Sequence, residues 1–188
     1  MNKKKKIILI ISLFVLVIII MSVVSYSYIK MQYPLKYVDE ISKYSQEYNI
    51  PKDLLYAVIK TESGFNKDAK SSAGAIGLSQ ITPETFTWLQ SKTGEKLETD
   101  DLYNPEISIK YSALFYKMLI KEFKNTDTAI AAYHAGRGRV NSWLSDKEIS
   151  SDGKTLDKIP FKDTAHYVHK VNEAMAIYNI LYSKEIKN

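Results

Sequence analysis

The stretch "LLYAVIKTESG", residues 54–64, sets a carboxylate where a helix should be apolar. Leu55, Val58, Ile59 and Glu62 fall at i, i+3, i+4 and i+7, the spacing of one face of an α-helix. Three members of that stripe are aliphatic and the fourth is an acid, and Ser63-Gly64 then supplies a helix stop. An acid sharing a face with buried aliphatics pays a desolvation cost for ionising. The negative end of the helix dipole at the last turn acts in the same direction. Both effects raise the pKa of Glu62 and make it a candidate general acid. The alternative is a side chain that turns to solvent or pairs with Lys60 or Lys67.

Outward from this helix, the apolar spacing stays helical almost throughout. A helix is expected over about 37–48, with Val38, Ile41, Tyr44, Ser45 and Tyr48 on one side. Pro51 suits the first turn of the helix that ends at Glu62 or Ser63. Thr82-Pro83-Glu84 and Asn104-Pro105-Glu106 each combine an N-cap residue with proline at the first helical position. The second opens a longer helix with Ile107, Tyr111, Leu114, Phe115, Met118 and Leu119 as its stripe. Thr126 or Asp127 can cap a short helix through Tyr133, and Val140–Leu144 adds a turn. The polar run "SDKEISSDGKTLDK", residues 145–158, is expected to be a mobile surface loop. Pro160 restarts a helix to about Tyr182, with Phe161, Ala165, Val168, Met175 and Tyr178 facing inward. Strand-like alternation is scarce, so these elements predict a compact all-α domain over 37–188.

The first residues have a different character. Lys3, Lys4, Lys5 and Lys6 precede an unbroken apolar run from Ile7 to about Val24, long enough to cross a bilayer core. Ser25, Tyr26, Ser27 and Tyr28 put aromatics near the far interface. Residues 1–29 therefore read as cytoplasmic lysines and a transmembrane signal anchor, with 30–36 as a linker. No small-residue cleavage site is visible and the chain has no cysteine to carry a lipid, so an anchor is favoured over a cleaved signal peptide. Positive charge stays inside, which puts 37–188 outside the cell membrane. Of 26 Lys and Arg, four lie in the N-terminal cluster, leaving 22 basic against 21 acidic residues. A near-neutral domain argues against nucleic acid as a partner. Without cysteine there is no disulfide framework.

Two further segments bear on Glu62. "SSAGAIGLSQI", residues 71–81, sets Gly74 and Gly77 behind the acid, and glycines let backbone approach a ligand closely. Gln80 offers a donor and an acceptor suited to hydroxyl and amide groups. "AAYHAGRGRV", residues 131–140, places Tyr133 and His134 where a small-residue helix ends. Tyr133 can stack on a sugar ring or donate a hydrogen bond, or simply belong to the core.

These segments together resemble the soluble lytic transglycosylase family, relatives of goose-type lysozyme, over about residues 37–182. The family pattern LLxAVIxxES matches Leu54–Ser63, and GAxGLMQIxP matches Gly74–Pro83. AYNAG matches Ala132–Gly136, and PxxETxxYV matches Pro160–Val168. Three positions depart from the pattern. Ser79 stands at the usual methionine, His134 at the asparagine and Asp163 at the glutamate. These bear on cleft affinity and substrate preference more than on reaction type.

The resemblance implies a lysozyme-like helical fold and peptidoglycan glycan strands as substrate. The bond would be the β-1,4 link from N-acetylmuramic acid to N-acetylglucosamine, with Glu62 as the catalytic acid and then base. Ser63, Gln80, Tyr133, His134 and Tyr167 would contact substrate. The sugar's own acetamide replaces a carboxylate nucleophile, an exception to the two-carboxylate rule. No metal or other cofactor is called for. Asp68, six residues beyond Glu62, is a possible second carboxylate that would make the protein a hydrolytic muramidase. His166 and His169 lack a third ligand at metal spacing. A non-catalytic glycan binder, and service within a wall-spanning apparatus, are the other readings.

Overall fold

The computed structural model of the protein describes residues 2–187. The chain divides into two units, one ending at Pro34 and the other beginning at Leu35. The first is essentially one helix, α1, Lys3–Gln32, which continues through the first residues read as linker. Its most apolar 18-residue window has a mean hydropathy of 3.5. Thirty residues rise about 45 Å, more than the ~30 Å hydrocarbon core. The hydroxyls of Ser12 and Ser22 donate to the carbonyls of Leu9 and Ile18, so neither donor is left bare on this apolar rod.

The second unit contains α2 Val38–Tyr48, α3 Lys52–Ser63, α4 Pro83–Thr93, a 3₁₀ turn Thr99–Tyr103 and α5 Pro105–Phe123. There follow α6 Thr126–Ala135, α7 Arg137–Leu144, α8 Lys162–Leu181 and a short α9 Ser183–Lys187. Helix α3 lies at the centre, packed chiefly on α8 and also on α2, α5 and α9. Leu54 through Ile59 are all buried, so the helix is covered on every side and not along one stripe alone. Burial of each large aliphatic here contributes roughly 1.5–3 kcal/mol. Tyr56 packs between Tyr178 of α8, 5.2 Å away, and Phe65, 6.3 Å away.

The caps follow the expected chemistry with one shift. Thr82 Oγ1 accepts from Thr85 N and Asn104 Oδ1 from Glu106 N, each just before a proline. The cap of α6 is Asn125, which accepts from the Thr128 amide, not Thr126 or Asp127. Its extended backbone leaves Thr126 as the first helical residue.

The inward face of α8 matches expectation at Val168 and Tyr178 and differs from it elsewhere. Thr164, Tyr167, Val168, Val171, Ala174 and Tyr178 are buried, while Phe161 is exposed and Ala165 and Met175 sit at the edge. The register that faces α3 and α6 carries Thr164 and Tyr167, polar residues that a hydrophobic count passes over. Val38 is likewise exposed, at the free first turn of α2.

Residues 145–158 are a tied loop, not a loose one. Asp152 accepts from the Lys154 and Thr155 amides and the Thr155 hydroxyl, and Ser151 N donates to Asp157. Ser150 is fully buried, with Gly153 N donating to its hydroxyl. These bonds hold the Asp152 carboxyl down at about 2.

Candidate active site

The site is built where the C-terminal end of α3 meets the loop 64–82. Gly64, left-handed at φ 59°, ends α3 and returns its amide to Lys60 O. The loop then folds on itself. Ile76 and Ile81 exchange backbone hydrogen bonds, and Ser71 N donates to Ala75 O. Gly77, at φ 75°, presses against the 3₁₀ turn so closely that a Cβ would lie 2.1 Å from Leu102 O.

Three hydroxyls pin the next stretch of loop to three helices. Ser63 Oγ donates to Leu78 O at 2.8 Å, and Tyr133 Oη donates to Ser79 O at 2.6 Å. Ser79 N donates to Ser108 Oγ at 3.2 Å. Gln80, itself at φ 49°, spends its amide hydrogens on Ala69 O and Gly77 O. The polar groups of Ser63, Gln80 and Tyr133 thus shape the loop behind the acid, in addition to any contact with a ligand.

Glu62 is half-buried in the last turn of α3. Tyr167 Oη donates to its Oε1 at 2.6 Å. Burial raises the carboxyl to about 7, and the Tyr167 hydrogen bond, which favours the carboxylate, opposes but does not cancel it. Around it stand three tyrosines. Tyr116 and Tyr133 stack at 4.6 Å with rings 10° apart, and burial holds the phenols of Tyr116, Tyr133 and Tyr167 neutral, well above their ordinary value. A neutral, mainly aromatic enclosure withholds the counter-charge that would ionise Glu62.

His134 supports the arrangement from the other side. Its ring stacks on Tyr167 at 4.5 Å, and Nδ1 lies 3.1 Å from Thr164 Oγ1. Burial pushes its pKa down, against the pull of Asp163. Asp163 is exposed in the first turn of α8. The structure therefore brings together Glu62, Tyr133, His134 and Tyr167, from α3, α6 and α8. Asp68 lies apart from them in character: it is exposed and paired with Lys67 at 2.8 Å. His166 and His169 are exposed, the latter 3.9 Å from Glu173.

Sequence reasoning passed over Tyr116, Ser112 and Ser108, a buried i, i+4, i+8 row on α5 behind the site. The signal was present in that spacing but was masked because residues 111–116 are buried without a break. Ser79 is also fully buried. Helix α6 can approach α5 and α8 because Ala129, Ala131 and Ala132 are small, and Gly136, at φ 92° and ψ 135°, allows the turn into α7.

A family profile described as the transglycosylase SLT domain matches residues 39–155. The chain belongs to that family. Among curated relatives, the chain is 32% identical over 158 residues to the soluble lytic murein transglycosylase of Escherichia coli strain K12. That match covers 81% of this chain and 24% of the relative. It is also 28% identical over 166 residues to the membrane-bound lytic murein transglycosylase C of Glaesserella parasuis, covering 76% of this chain and 46% of that one. Among solved structures, the 70 kDa soluble lytic transglycosylase of E. coli superposes with a TM-score of 0.75 at 29% identity, over 84% of this chain and 26% of the other. An inactive mutant of lytic transglycosylase Slt from Pseudomonas aeruginosa gives 0.72, also at 29%, over 80% and 25%. The fold is thus the all-α, lysozyme-like SLT fold. The chain spans about a quarter of the length of the soluble relatives.

Proposed function

We propose that this protein is a lytic transglycosylase of peptidoglycan, cutting the β-1,4 bond from N-acetylmuramic acid to N-acetylglucosamine without water. The observation that carries this reading is the Glu62 carboxyl. It is half-buried among neutral tyrosines, raised to about 7 and held by Tyr167, so it keeps a proton near neutral pH. Glu62 protonates the leaving glycosidic oxygen as the C1–O bond breaks. The muramic acetamide stabilises the positive charge at C1. The Glu62 carboxylate then removes the proton from the muramic C6 hydroxyl, which attacks C1 and closes a 1,6-anhydro ring. Glu62 ends protonated, ready for another turn. Tyr167 positions the carboxyl in both states, and Ser63, Gln80, Tyr133 and His134 line the cleft toward the sugar.

Family membership and the names of the relatives support the substrate class. The pairing of Asp68 with Lys67 on the surface favours this route over a water-activating second carboxylate. Helix α1 and the membrane-bound relatives favour membrane association. We assign a single pass, with the lysines cytoplasmic and residues 37–188 facing the wall. The deciding experiment is mass spectrometry of sacculi digested by the wild type and by Glu62→Gln. Anhydromuramic ends from the wild type alone are expected. Reducing ends would make the protein a hydrolase, and binding without release of fragments would make it a scaffold.

A further inference from the structure

Three fully buried side-chain hydroxyls make no hydrogen bond among the described residues: Ser79, Ser112 and Tyr116. Such groups are rare, because each has given up water as a partner without a replacement. Two of them, Ser112 and Tyr116, stand one turn apart on α5. They continue the row that begins at Ser108, whose hydroxyl already accepts from Ser79 N.

Each of the two faces a tyrosine hydroxyl of the site. Tyr116 Oη is directed at Tyr167 and Ser112 Oγ at Tyr133, close but short of hydrogen-bond geometry. Both tyrosines already donate elsewhere, Tyr167 to Glu62 Oε1 and Tyr133 to Ser79 O, each at 2.6 Å. Their oxygens keep lone pairs that can accept. Tyr116 is held in place by its stacking on Tyr133, with rings 4.6 Å apart. A slight turn of either α5 side chain completes two chains, Tyr116 to Tyr167 to Glu62, and Ser112 to Tyr133 to the Ser79 carbonyl. In such a chain, a hydroxyl that accepts a hydrogen bond becomes a stronger donor.

We infer that α5 positions the site from behind: Tyr116 is a positioning residue that donates to Tyr167 and so fixes its bond to Glu62, and Ser112 does the same for Tyr133 and the loop. This rests on Glu62 being the acid of the glycan-cleaving reading above, and adds what holds that acid. A stronger bond from Tyr167 favours the carboxylate, so Tyr116 lowers the proton affinity of Glu62 and loss of its hydroxyl raises it. The titratable groups around Tyr167 are Glu62 from α3, Tyr116 from α5, and Tyr133 and His134 from α6, with Asp163 of α8 acting on His134. His134 and Asp163 are kept in every variant below, so their titration cancels between them.

The test follows the Glu62 carboxyl by NMR of the full chain in detergent micelles, labelled with ¹³C at the glutamate carboxyls. The resonance is assigned by its loss in Glu62→Gln. Tyr116→Phe keeps the ring and its stacking, and should raise the Glu62 pKa by about 0.3 unit. On sacculi, kcat should fall about threefold and the limb of the pH profile governed by Glu62 should move up with it. In a Tyr167→Phe background the same substitution should shift nothing, because the link between the two groups is gone. Ser112→Ala should leave the Glu62 titration in place, since its chain ends on the loop. An unchanged titration in Tyr116→Phe, a shift that persists without the Tyr167 hydroxyl, or an equal shift in Ser112→Ala overturns the inference. The two readings fail separately. The expected titration shift without anhydro products from sacculi sinks only the proposed reaction. Anhydro products without the shift sink only the positioning role.

Discussion

Glu62→Gln should stabilise the folded protein at alkaline pH and leave it unchanged in acid. In the unfolded chain the carboxyl titrates at its ordinary 4.5, and in the fold at about 7. A group raised by folding binds its proton more tightly in the native state. Its contribution is fully present below pH 4.5 and is lost as pH rises through 7. Above that, the wild type must hold a carboxylate in a place that disfavours it. Moving the pKa this far corresponds to at most about 3 kcal/mol. The half-buried side chain keeps some solvation, so about 1–2 kcal/mol is the expected gain. Glutamine cannot ionise and keeps an amide oxygen to accept from Tyr167. At ~2–4 °C per kcal/mol, the variant should melt several degrees higher at pH 9 and level with wild type at pH 4. Tryptophan fluorescence is the suitable probe, since Trp88 and Trp143 both lie in the unit that begins at Leu35. A difference in melting temperature that stays constant from pH 4 to pH 9 would refute the claim that burial sets the proton affinity of Glu62.

Three further outcomes follow from the same geometry. Tyr167→Phe removes the one interaction that lowers the Glu62 pKa, so the limb of the pH–activity profile governed by Glu62 should move to higher pH while kcat falls about tenfold, read in turbidity assays on sacculi. Gly77→Ala sets a methyl against Leu102 O at a backbone angle costly for any other residue, and should lower stability by at least ~2 kcal/mol in urea unfolding. His134→Asn removes a ring that gains a charge only below its ordinary 6.5, so activity in acid should fall off less steeply than in the wild type, checked by kcat/KM across pH.

Helix α3 shows how far periodicity reached. The i, i+3, i+4, i+7 stripe placed Glu62 with Leu55, Val58 and Ile59, and the Ser63-Gly64 stop put it in a last turn, as found. Both are local properties of chain geometry. On α8 the same method found Val168 and Tyr178 but passed over Thr164 and Tyr167, which point inward for their hydroxyls. Tyr116 was missed on α5 because that helix is buried nearly all round between Tyr111 and Tyr116, where no stripe separates core from site.

By itself the sequence determined most of the helices, the proline-marked starts of α4 and α5, the apolar N-terminal rod and the position of an acid at a helix end. Each depends on neighbours within a few residues, which spacing records. Only the tertiary structure decided what surrounds that acid. Tyr167 reaches Glu62 across 105 positions of chain, and Tyr133 reaches Ser79 across 54. The raised proton affinity comes from burial by α5, α6 and α8 together, and desolvation is a property of the packed volume that no local pattern encodes.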